Sequence, residues 1–181
     1  MVLSFTKVFL VFCLALFCIT SFISEPLADN DTSKIIQLRQ GAMQEMWKRV
    51  KNITPYVEDL GSTNYGPTEA ERDSTELLTL IKKVQGLWGP NTNLSIYSKT
   101  NATPAVWALN DYFERIFLKA EVSVMELTES ITTGNDDSAR QALCSLGNAC
   151  GSCHANFRRL LTAELAVEAS AWSGGYSSDC P

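Results

Sequence analysis

Cys150 and Cys153 are followed directly by a histidine, in the run Cys150-Gly151-Ser152-Cys153-His154. This is the Cys-x-x-Cys-His pattern, in which two thiols add to the vinyl groups of a haem and the adjacent imidazole takes its iron. On a helix at about 100° per residue, Cys153 lies about 60° to one side of Cys150 and His154 about 40° to the other. The three side chains therefore share one face, and Gly151 and Ser152 turn away to leave room for a porphyrin edge. Phe157 and Leu161 fall in the same sector and are predicted to pack on the haem, with Arg158 tuning the proximal side.

Other chemistries of the motif fit less well. A zinc site needs four ligands, and beyond the motif only Cys144, Cys180 or carboxylates could complete one. A thioredoxin-type pair expects a strand before its helix, and none is legible here. A disulfide between Cys150 and Cys153 is awkward within one helical turn.

His154 is the only histidine in the chain, so a second imidazole cannot take the sixth iron position. Methionine is the remaining strong candidate, and past the N-terminal segment the chain offers Met43, Met46 and Met125. Met43 and Met46 share a helical face with Ile36, Arg39, Trp47 and Val50, which predicts that this face lines the cofactor. An arginine within an apolar stripe needs a partner, and a haem propionate would serve Arg39. Methionines on such a face are more often plain core filler, and the motif alone does not choose among the three.

Four helical patterns must position these groups, over about 31–52, 68–87, 103–131 and 136–169, with no strand alternation. The second carries Leu77, Leu80, Ile81, Val84 and Leu87. The third is predicted to open with Thr103 as N-cap and Pro104 as first helical residue. It carries Val106, Trp107, Tyr112, Phe113, Ile116, Phe117, Val124 and Leu127. The run Gly134-Asn135-Asp136-Asp137 supplies a turn and an acidic start for the fourth. The expected fold class is all-α, an antiparallel four-helix bundle holding covalently bound haem c in its core.

Residues 1–24 form a separate expectation. Lys7 precedes an apolar run from Val8 to Ile19, the form of a secretory signal, although no Ala-x-Ala site marks the cleavage point. Left uncleaved, the run would anchor the chain to a membrane. The bundle and a short tail would then occupy 25–181. The chain carries a formal net charge of −5, which argues against nucleic acid as partner and suits docking on a basic patch of another protein.

At this point the chain resembles the cytochrome c′ family over roughly 33–166. The features are the C-terminal Cys150-Gly151-Ser152-Cys153-His154 followed by Phe157-Arg158, Arg39-Gln40 in the first helix, and Pro104-Ala105-Val106-Trp107 with Phe113. The resemblance implies that the residue four after Arg39, Met43, faces the distal side of the haem. Members with an apolar residue there are five-coordinate and bind nitric oxide or carbon monoxide. Those with methionine are six-coordinate and low-spin, and read as electron carriers. Met43 therefore implies a mono-haem electron carrier in the periplasm, iron held by His154 and Met43, not an enzyme, docking briefly on a redox partner protein. The family also implies a homodimer. The gas-binding member of the same fold is the alternative, and a haem-free zinc or disulfide-stapled helical module is a third reading. Two departures stand out: the segment 89–103 is long, and the tail adds Cys180, which could pair with Cys144.

Overall fold

The computed structural model describes residues 27–59, 64–90 and 92–159. The signal segment, Leu161 and Cys180 lie outside them, as do the proposed tail and its pairing. Chain contacts divide into two units, 1–31 and 32–181, and the bundle lies in the second. Its helices are α1 (Leu27–Val57), α2 (Pro67–Gln85), the short α3 (Ala105–Ala108), α4 (Asn110–Thr133) and α5 (Asp136–Phe157). No strand occurs among the described residues, only an isolated bridge between Ala102 and Arg158.

The apolar positions explain the helices. Ile36, Met46, Val50, Ile53 and Val57 of α1 are buried, and so are Leu77, Ile81 and Val84 of α2. From α4, Phe113, Ile116, Phe117, Ala120, Val124, Leu127 and Ile131 enter the same core, to meet Ala139, Ala142, Leu143, Leu146 and Ala149 of α5. Fully burying one such Leu, Ile or Phe side chain contributes about 1.5–3 kcal/mol, so this shared core is the main support of the fold.

Local chemistry sets the ends. Pro67 opens α2, where its missing N–H leaves nothing unpaired, and Glu69 Oε2 accepts the Gly66 N–H at 3.0 Å. Gly134 closes α4 in the left-handed region (φ 67°), its N–H reaching Ile131 O, while Asn135 N reaches Ser130 O at 2.8 Å. Asn135 Oδ1 in turn accepts the Ser138 N–H at 3.1 Å and caps α5, so a two-residue connection forces α4 and α5 to pack antiparallel. A Cβ at Gly134 would meet nothing within 4 Å, so Gly134→Ala tests backbone conformation alone. It should lower stability by about 1–2 kcal/mol in denaturant unfolding, the cost of placing a Cβ in the left-handed region.

Two predicted boundaries move. Thr103 does not cap the third helix, because its N–H and hydroxyl both donate to Phe157 O, at 2.9 and 3.1 Å. The chain instead makes the four-residue α3, breaks at Leu109 (φ −118°, ψ 42°), and starts α4 at Asn110. The same contacts end α5 near Phe157 rather than near 169: Arg158 is extended, and Arg159 N donates to Asn101 O at 2.8 Å. The segment before α3 and the end of α5 are thus stitched together.

A second polar device joins α1 to α2. The Asp73 carboxylate is fully buried and accepts from Arg49 (2.9 Å), Asn52 (3.0 Å), Tyr65 (3.1 Å) and Arg72 (3.2 Å). Burial pushes its pKa up, but the bonds from Asn52, Arg72 and Tyr65 and the Arg49 charge outweigh that and hold it below the usual carboxylate range. Arg49 also pairs with Glu76 at 2.6 Å.

Candidate functional site

A cavity partly open to solvent lies between the helices. On one wall α5 presents Cys150, Cys153 and His154, with Leu146 and Ala149 one turn before. Helix α1 contributes Met43, Met46 and Val50, and Leu77, Ile81, Ile116, Phe117 and Ala120 complete the lining from α2 and α4. The helical spacing expected from the sequence is realised: both thiols and the imidazole open into one space. Cys150 and Cys153 are free thiols and half-buried.

Burial governs the site's titration. It pushes both thiols up to about 12, helped for Cys150 by its neighbour Cys153. Burial, and then the positive charge of Arg158, push His154 down to about 4, so its imidazole is neutral at physiological pH and able to bind a metal. Apart from these three residues, the lining is aliphatic, aromatic or thioether.

The methionines separate cleanly. Met43 and Met46 line the cavity, whereas Met125 is 49 % exposed on α4 and drops out as an iron ligand. Trp47 is half-buried and packed against the core without lining the cavity, with the Lys51 ammonium 5.8 Å from its ring centroid. Phe157 is buried but turns to Phe113 (5.2 Å between centroids) and Tyr112 (5.8 Å) rather than into the cavity. Arg158 acts through its charge on His154.

Arg39, expected to reach a propionate, is 3 % exposed and directs Nη1 and Nη2 to the long segment after α2. Nη1 donates to Thr92 Oγ1 (2.8 Å) and Leu87 O (3.2 Å), and Nη2 to Thr92 O (2.9 Å) and Thr100 Oγ1 (2.8 Å). It also lies 4.3 Å from the ring centroid of Trp88. The reason is supply: the long segment brings four oxygens within reach, and Gln40 follows suit by donating to Lys99 O at 2.7 Å. Trp88 is the residue sequence reasoning missed. Its one local signal was an aromatic beside Gly89-Pro90, which says nothing of a partner on α1.

Cys144, buried on α5 and absent from the cavity lining, is disulfide-bonded. Its expected partner, Cys180, lies outside the described residues.

Residues 34–158 match the family model described as Cytochrome C′. A cytochrome c′ of Pararhodospirillum photometricum is 23 % identical over 123 residues, covering 68 % of this chain and 94 % of the relative. Among solved structures, a nitric oxide complex of a cytochrome c prime variant from Alcaligenes xylosoxidans superimposes with TM-score 0.64 at 22 % identity, covering 72 % of this chain and 97 % of that one. Cytochrome c′ from Rhodobacter spheriodes gives 0.63 at 23 % identity, covering 72 % and 98 %. Those structures share the four-helix fold. The donor set suits one haem c: Cys150 and Cys153 would take its two thioether bonds and the neutral His154 its iron. The chain belongs to the cytochrome c′ family and carries one covalently attached haem c.

Proposed function

We propose that this protein binds a neutral diatomic gas, nitric oxide or carbon monoxide, at its haem iron. Haem, when bound, would supply a redox-active iron able to bind a small ligand. Cys150 and Cys153 would fix the macrocycle, and His154 would hold the iron. The observation that carries the reading is the cavity lining: past those three, the described residues that line it offer no charge and no hydroxyl or amide group. A water ligand there would have nothing to hydrogen-bond, whereas a small uncharged gas needs no such partner. A nitric oxide complex of one structural relative supports the same reading. Among the described residues, no carboxylate, lysine or second histidine lines the cavity, which favours binding and release over turnover.

Export to the periplasm belongs to this proposal. The signal-like 1–24 and the disulfide at Cys144 both support an oxidising compartment. A redox partner protein would set the iron's oxidation state in a brief encounter.

One observation favours a second reading. Met43 opens into the same cavity as His154, so its thioether could take the sixth position and make the protein an electron carrier. The absorption spectrum of ferrous holoprotein with and without carbon monoxide separates the two. Gas binding predicts a high-spin spectrum that shifts on adding carbon monoxide. A low-spin spectrum unmoved by carbon monoxide, turned high-spin by Met43→Ala, would instead establish the electron carrier.

A further inference from the structure

We propose that the indole N–H of Trp88 donates a hydrogen bond to one haem propionate, making Trp88 a positioning residue for the cofactor. Its Nε1 is a buried donor with no partner, while the Trp88 carbonyl is already taken by Trp107 Nε1 at 3.2 Å. Buried donors are rarely left unpaired, because the loss is comparable to that of a hydrogen bond. What the chain leaves open here, the bound cofactor can complete.

The surroundings select the class of acceptor. The Trp88 ring lies 6.4 Å from that of Phe117, which lines the haem cavity. The Arg39 guanidinium, 4.3 Å from the same ring, lies one helical turn before the cavity residue Met43. All four hydrogen bonds from Arg39 end on uncharged oxygens, so a buried cation stands beside the open donor without a described carboxylate to balance it. An anion is the acceptor that answers both groups, and haem brings two carboxylates. A gas ligand on the iron could accept the N–H, but it is neutral and leaves the Arg39 charge unanswered. Arg39 thus acts from behind, fixing the long segment and adding charge, while Trp88 supplies the direct bond. The inference needs the haem but not the gas-binding reading, and either can fail alone.

Resonance Raman spectra of haem-loaded Trp88→Phe test it, since the variant keeps a ring between Arg39 and Phe117 and deletes only the donor. The propionate bending band should shift to lower frequency, with the C–O stretch of the carbon monoxide complex unchanged. In wild-type protein the same band should move on exchange into deuterium oxide, and that sensitivity should weaken in the variant. A propionate band indifferent to both the substitution and deuterium overturns the proposal. So does a C–O stretch that moves while the propionate band stays fixed, because the indole would then serve the iron's ligand. Even if Trp88→Phe does not fold, a wild-type propionate band unmoved by deuterium oxide overturns the proposal.

Discussion

A chain carrying Cys150→Ala and Cys153→Ala is expected to be recovered without covalently attached haem. Mass spectrometry checks this directly: wild-type protein keeps the added mass after denaturation in acid and organic solvent, and the double variant loses it. Both thiols open into the same cavity as His154, so all three side chains face one cofactor space. Each bond adds a cysteine S–H across a vinyl double bond, sulfur to one carbon and hydrogen to the other. With both sulfurs gone, His154 alone would hold the iron, and the cofactor would become extractable. Haem that still resists extraction would mean another side chain forms the bond. The third described cysteine, Cys144, is outside the cavity and disulfide-bonded, so it offers no substitute.

Replacing Asp73 with alanine should produce the second large effect, on stability rather than on the cofactor. Removing one partner from a buried ion pair typically costs about 3–5 kcal/mol, because the other charge stays buried. Here Arg49 keeps Glu76, which places the expectation near the lower end, about 3 kcal/mol. For a domain of this size that is roughly a 10 °C drop in Tm. Asn52 and Tyr65 would lose their acceptor at the same time. The pH dependence follows from the direction of the shift. The carboxyl titrates lower folded than unfolded, so its stabilisation is complete above the unfolded value, about 4, and disappears as pH falls through the folded one. Wild-type Tm should therefore fall steeply on acidification, and the Asp73→Ala curve should be flatter below about pH 4. Parallel curves would show that the Asp73 carboxylate contributes no pH-dependent stability.

What could be read from the sequence was whatever depends on near neighbours. The shared face of Cys150, Cys153 and His154 follows from helical spacing alone, as does the stripe that puts Met43 and Met46 in the cavity. The turn at Gly134-Asn135 is equally local, since backbone conformation and cap lie within four residues. The errors all came from contacts between distant parts of the chain. Thr103 was lost as a cap to a carbonyl 54 positions away, and the same contact shortened α5. The four acceptors of Arg39, 48 to 61 residues further on, likewise carry no signature in its own helix. Trp88 went unnoticed for the same reason. A pattern of period 3.6 tells which face is buried, but not which loop will lie across it.

The position of Cys144 has a consequence for how the chain matures. One cysteine of α5 ends as a disulfide while two others must stay reduced until they meet the cofactor, so the same helix has to sort its own sulfurs. Six residues separate Cys144 from Cys150, which on a formed helix puts them about 9 Å apart along the axis and about 120° around it. That separation is beyond the span of a disulfide, so once α5 has formed, Cys144 cannot capture Cys150. Before it forms, nothing prevents the exchange. The formed helix is thus itself what keeps the disulfide cysteine and the haem cysteines apart.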